Sequence, residues 1–258
     1  MHDGHDHSRG FIVMLFAVQS TAYGWMMLAG IFLSIAFWAR VARRDERLVL
    51  IYVVALLSAF IGAKFVYLGA EGWLHWHDAN RWIILATGKS ITGALLGGYL
   101  GVEIAKRLLK YDVTTGDWFA IIVPVGVMLG RIGCMLNGCC LGKVCEPDWY
   151  TISDAHGIPR WPASQVEFLF NAVMLGVLLL LRWGRIAPGQ LFHIYLITYG
   201  TFRFFHEFLR DTPAILGPIS GYQMASLALV FLGTMGLILR QNDQRLSVEN
   251  LREGSTAA

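Results

Sequence analysis

Long apolar runs separated by short polar breaks dominate the chain. The first run extends from Phe11 to Trp38 and is interrupted at Gln19, Ser20 and Thr21. A membrane span needs about 20 mostly apolar residues. The stretch 11–19 therefore reads as an interfacial or re-entrant piece, and about 21–39 as the first span. The pattern predicts further spans at about 48–69, 83–105, 117–136, 163–181, 189–209 and 222–239. With no water in the bilayer core, runs of this length satisfy their backbone groups as helices. The expected fold is all-α and polytopic, with about seven transmembrane helices in a single membrane domain over 1–258. Its parts are an outward polar end and interfacial segment (1–20), a helical core (21–239) with an outward loop at 137–162, and a polar tail (240–258).

The polar breaks set the expected orientation. Arg40, Arg43, Arg44 and Arg47 follow the first span; Lys106, Arg107 and Lys110 the third; Arg182 and Arg185 the fifth; Arg240 the seventh. Alternation puts all four clusters on one side, which the positive-inside rule makes cytoplasmic. The amino terminus is then outside and the carboxyl terminus cytoplasmic. The loop carrying Trp73, Trp76 and Trp82 faces outward as an interfacial aromatic belt. Composition agrees: of 258 residues, 55% are hydrophobic and 15% charged, against about 25% charged in soluble domains. Away from the membrane-flanking ends no basic cluster interleaves with aromatics, so no nucleic-acid partner is expected. The opening MHDGHDHSRG lacks the basic start of a cleaved signal peptide, and the first apolar segment is expected to be retained.

Charges inside spans change the picture. Lys64, Lys89, Arg131, Glu167, Arg203 and Glu207 lie within spans or at their outer ends. Each such charge costs roughly 2.5–3.5 kcal/mol on insertion scales. They either pair with one another and fix packing, or line a polar cavity. Tyr199, Arg203, His206 or Glu207, and Arg210 recur at helical spacing, which places them on one face. Arg203 and Glu207 can pair within the helix; alternatively Glu207 orients a guanidinium that meets an anion, for which its donor fork is suited. Gly88, Gly93, Gly97 and Gly98, with Lys89, Ser90 and Thr92, point to close helix packing or to a lipid against that face.

The densest chemistry lies in GRIGCMLNGCCLG at 130–142. Cys134, Cys139, Cys140 and Cys145 are the only cysteines and are expected at the outward face, where oxidation is allowed. A disulfide from Cys139 or Cys140 to Cys145 is the plainest reading. No metal is expected, because the spacing is not the paired C-x-x-C of zinc ribbons. Copper or zinc held jointly with His2, His5 and His7 is the lesser alternative. A third is that one thiol carries a transferred group transiently.

GRIGCMLNGCCLG resembles the signature of the prolipoprotein diacylglyceryl transferase family. AYGWMMLAG, GAKFVYL at 62–68, KSITGALLGG at 89–98, the Pro162 to Glu167 run and YGTFRFFHEFLRDTP at 199–213 resemble further family segments in the family's order. The resemblance implies a bacterial inner-membrane enzyme that moves the diacylglyceryl group of phosphatidylglycerol to the lipobox cysteine thiol of a preprolipoprotein, releasing glycerol 1-phosphate. Its partners would be that lipid, the lipobox segment and membrane lipids, with no cofactor. Arg131 and Arg203 would hold the phosphate and are expected to converge on one head group. Tyr23, Asn137, Gly142, Tyr199, Glu207, Lys64 and Thr92 match positions that line the site.

The chain departs from the family pattern where the thiol is handled. The family histidine is Thr92, its signature asparagine and glutamate are Cys134 and Cys139, and its Gly-Ala-Arg arginine is Lys64. Threonine is no base near neutral pH, which leaves His206 as a candidate base. Two alternatives remain. One is a related phospholipid-dependent transferase with a different acceptor. The other is a non-catalytic lipid- or metal-binding membrane protein with a structural or redox cysteine cluster.

Overall fold

The computed structural model describes the backbone of residues 4–256 and the side chains of 22–43 and 45–241. The protein is an all-α polytopic membrane protein. Its helices are α1 (Gly4–Val41), α2 (Arg47–Ala70), α3 (Arg81–Thr87), α4 (Ile91–Leu108), α5 (Gly116–Leu136), α6 (Ala163–Trp183), α7 (Leu191–His206) and α8 (Gly221–Thr256). Two small antiparallel hairpins, β1 (Ile152–Ser153) with β2 (Pro159–Arg160) and β3 (Ala214–Leu216) with β4 (Ile219–Ser220), lie in the connections.

Among the described residues, five helical stretches are long and apolar enough to cross a membrane: Ala22–Val41, Arg47–Ala70, Gly116–Leu136, Ala163–Trp183 and Gly221–Gln241. Four expectations change. The predicted third span is broken at 88–90, where α3 and α4 meet at a 55° bend, and it counts as a sixth crossing only if the pair is one span. Ser90 starts α4 as an N-cap, accepting the Gly93 N–H at 3.2 Å, so a new helix begins there. The predicted sixth span is α7, only 16 residues long. That is about 24 Å, short of the roughly 30 Å hydrocarbon core. The helix α1 runs unbroken through Gln19, Ser20 and Thr21, where a division was expected. The polar tail continues α8 as helix to Thr256.

The chain divides into two compact units. One holds the chain up to Arg44 with Ile121–Gly176 and Leu209–Asp211; the other holds Asp45–Ala120, Val177–Phe208 and the chain from Thr212 onward. The sequence reads as one domain because each unit draws on separated stretches with no linker between them.

In the second unit α2 packs on α4 through glycines. A Cβ on Gly97 would collide with the Ser58 carbonyl oxygen and lie 2.9 Å from the Gly62 Cα. Gly62 and Gly93 face each other's carbonyl oxygens in the same way. Small residues let the two backbones touch, which is how helices associate where lipid supplies no hydrophobic drive. Of the two readings of the α4 glycines, this is the close-packing one. Gly200 and Gly233 do the same between α7 and α8. Asp117 accepts the Gly189 and Leu191 N–H groups at 2.8 and 3.3 Å, capping the start of α7. Phe60 and Phe65 on α2 point outward, as lipid-facing residues do.

Candidate active site at the signature segment

Arg131 sits near the end of α5 in the first unit. It is 5% exposed, and its Nη2 lies 2.8 Å from both carboxylate oxygens of Glu167, which is 0% exposed. The partner comes from α6, 36 residues on. Arg131 Nη1 also reaches Cys134 Sγ at 3.8 Å. A charge this deep is tolerable only when paired and hydrogen-bonded. Below Glu167, the Asn171 side-chain amide donates to the Glu167 carbonyl at 2.8 Å.

After Arg131 the helix ends in a Schellman motif. The Cys139 N–H bonds to the Cys134 carbonyl at 3.1 Å, and the Gly138 N–H to the Met135 carbonyl at 3.3 Å. Gly138 takes φ +61, the left-handed conformation the motif requires at that position. This motif brings the side chains three before and two after the helix end together; here they are Cys134 and Cys139. Cys140 follows with φ +59, and its sulfur joins them: all three Sγ atoms lie within 4.8 Å of one another. The Asn137 side chain lies beside Cys139, and Tyr23 of α1 lies in the electrostatic neighbourhood of the three thiols and Arg131. Hydrogen bonds from the Cys134 and Cys139 thiols hold the Cys140 thiol below its ordinary value against burial, helped by the Arg131 and Arg210 charges.

The expected disulfide is not what the structure shows. All four cysteines are free thiols, and Cys139 and Cys140 gather with Cys134 rather than with Cys145. Cys145 instead stands in the 137–162 loop, where its N–H bonds to the Pro159 carbonyl at 3.2 Å. The side chains of His2, His5 and His7 lie outside the described residues.

Gly142 is wedged into this loop. A Cβ there would lie 2.6 Å from the Trp161 Cβ and 2.7 Å from the Leu209 carbonyl oxygen, so only glycine fits. Its N–H bonds to the Trp161 carbonyl at 3.0 Å, and it pairs with Arg210 in an isolated bridge. Arg160 ties the loop, with Nε 2.8 Å from Asp154 Oδ2 and Nη1 3.2 Å from Asp211 Oδ2. The Arg160 hydrogen bond, then those from the Ile158 and His156 N–H groups, pull the Asp154 carboxyl down to about 2.

The second unit holds the other predicted residues. Arg203, 5% exposed, places Nη1 2.7 Å from Glu207 Oε2, the pairing its spacing allowed. Tyr199 is fully buried and stacks on Tyr195 with ring centroids 5.6 Å apart. His206 is buried and stacked on Phe202 at 4.9 Å. Arg210 leaves the predicted face, because α7 ends at His206, a 3-10 turn carries Glu207–Leu209, and Arg210 belongs to the first unit. Thr92 is buried, with its hydroxyl 2.8 Å from that of Ser90. Lys64 directs its ammonium to the carbonyls of Leu85 (2.9 Å), Ala86 and Gly88 (2.7 Å). An ammonium has three donors, and these carbonyls at the end of α3 take all three.

A family model described as prolipoprotein diacylglyceryl transferase matches residues 11–239, from the end of the polar start to the last span. The chain belongs to this family. Among relatives named phosphatidylglycerol–prolipoprotein diacylglyceryl transferase, that of Mannheimia succiniciproducens is 26% identical over 88% of this chain and 91% of its own length. The second such transferase of Clostridium perfringens is 28% identical over 86% and 91%. That of Aeromonas hydrophila is 31% identical over 64% of this chain, and there the chain spans 63% of the relative's length.

Within this diacylglyceryl transferase frame, two features escaped the sequence reading. Glu167 stood among the polar residues, but nothing in its spacing assigned it to Arg131. The sulfur cluster left only a partial signal: Asn-Gly after a helix points to a Schellman end, but which sulfurs meet depends on the left-handed turn at Gly138 and Cys140.

Proposed function

We propose that the protein transfers the diacylglyceryl group of phosphatidylglycerol to the lipobox cysteine of a preprolipoprotein in the bacterial inner membrane. The cysteine sulfur forms a C–S bond to the glyceryl carbon as the C–O bond to phosphate breaks. Glycerol 1-phosphate leaves and the thiol proton passes to a base. The observation that carries this reading is Arg131 of the family signature, buried and paired at 2.8 Å with Glu167 of α6. The carboxylate orients the guanidinium, which stabilises the leaving phosphate. Arg203, oriented by Glu207, is likewise assigned to phosphate binding. Tyr23, Asn137 and Tyr199 are assigned to the lining. His206 takes the thiol proton in place of the absent family histidine. Lys64 and Gly142 act through the backbone they hold rather than on the lipid.

The test is purified protein in lipid nanodiscs with phosphatidylglycerol and a lipobox peptide, read by released glycerol phosphate and by peptide mass. Wild type is expected to give both. Arg131→Ala and Arg203→Ala are each expected to lose roughly 10²–10³ in rate, the cost of removing one preorganised donor. Full activity in either variant overturns its role. One observation favours a second reading: Thr92 is buried against Ser90 and can take no proton. On that reading the acceptor differs, and glycerol phosphate appears without mass gain on the peptide.

A further inference from the structure

The geometry points to a three-thiolate site for Cu(I), formed by Cys134, Cys139 and Cys140. This goes beyond the transferase reading and does not depend on it. Three sulfurs within 4.8 Å of one another are close to what a bound ion requires. With metal–sulfur bonds of about 2.3 Å, three ligands in a plane put their sulfurs about 4 Å apart. Closing the set therefore takes less than a rotamer change.

Two independent features of the backbone assemble it. The Schellman end of α5, closed by the Cys139 N–H to the Cys134 carbonyl at 3.1 Å, sets the first two sulfurs together. Cys140 is one of four non-glycine residues with positive φ among the described residues, at +59, and that strained conformation accompanies the third sulfur's return to the other two. Strain of this kind persists where surrounding structure over-determines it, commonly at functional sites. Arg131 is a polar neighbour, its Nη1 hydrogen-bonded to Cys134 Sγ at 3.8 Å. Such outer contacts orient thiolates and offset their charge.

The donor set selects the ion. Thiolate sulfur favours soft cations. Structural zinc closes four ligands, whereas among the described residues this group contains three and omits Cys145. Cu(I) accepts three sulfurs without a fourth. Each coordinated thiol releases its proton, so a fully formed site frees up to three protons per ion, fewer where a thiol is already ionised, and requires no electron transfer.

The test uses the full-length, reduced protein in detergent under anaerobic conditions, titrated with Cu(I) against a coloured Cu(I) chelator and in parallel with Zn(II). The expected result is one Cu(I) per chain, with X-ray absorption showing sulfur alone at about 2.3 Å. Cys139→Ser and Cys140→Ser, at the less buried positions, are expected to weaken binding by more than the roughly 10–100-fold typical of losing an outer contact. Cys145→Ser is expected to bind as wild type. Thermal unfolding of each apo variant separates lost binding from lost fold. Any of four results overturns the proposal: two free thiols per chain instead of four, no Cu(I) retained, equal loss in Cys145→Ser, or a four-coordinate zinc site of higher affinity. Because phosphatidylglycerol turnover is assayed separately, failure here leaves the transferase reading standing, and the converse.

Discussion

Removing Glu167 isolates the charge on Arg131. Both side chains are almost completely buried and meet at 2.8 Å. Truncating one partner of a buried pair costs about 3–5 kcal/mol, because the remaining charge stays desolvated. That is a large share of the roughly 5–15 kcal/mol that holds a typical protein folded. Glu167→Ala is therefore expected to lower the unfolding midpoint sharply in detergent. Glu167→Gln, which keeps an acceptor oxygen for Nη2, should lose less. The decisive measurement is the double variant Arg131→Met, Glu167→Leu. If the cost is that of a stranded charge, the two singles would sum to about 6–10 kcal/mol, while the double lands near or above wild type. A double variant as damaged as that sum would refute the reasoning, as would a Glu167→Ala protein as stable as wild type. Turnover separates the two roles of the pair, since the double variant is expected to fold and to be inactive.

Other outcomes follow from the same contacts. Gly97→Ala is expected to destabilise by about 1–3 kcal/mol, because the added methyl meets the Ser58 carbonyl and forces α2 from α4; thermal unfolding reads it, and an unchanged midpoint would show the helices part freely. Lys64→Met leaves three carbonyls at the α3–α4 break without their donor, at about 1–3 kcal/mol, and hydrogen exchange should rise around 85–92, with Lys64→Arg restoring part of the protection. The Asp154 carboxyl is lowered from 3.8 to about 2, so its contribution is fully present above pH 4 and is lost as pH falls through 2. The 137–162 loop should loosen over that acid window, seen as a change in Trp149 fluorescence, and Asp154→Asn should abolish the step.

How far the sequence could be read depended on the range of the interactions. The long apolar runs, the all-α class and the Arg203–Glu207 pair are local, set by 20-residue lengths and by one helical turn. They were legible for that reason, as was the family signature. Arg131 was visible as a costly charge, but its partner arrives from another helix, and spacing carries no information about that. Lys64 read as a lipid contact from its place in a family motif, yet carbonyls more than 20 residues away consume its donors. The cysteines show the divide within twelve residues. Their number and crowding were plain in the chain, and they suggested a disulfide to Cys145. Only the folded helix end, with Gly138 left-handed and Cys140 turned back after it, decided which sulfurs meet, because a single change in backbone handedness redirects every side chain beyond it.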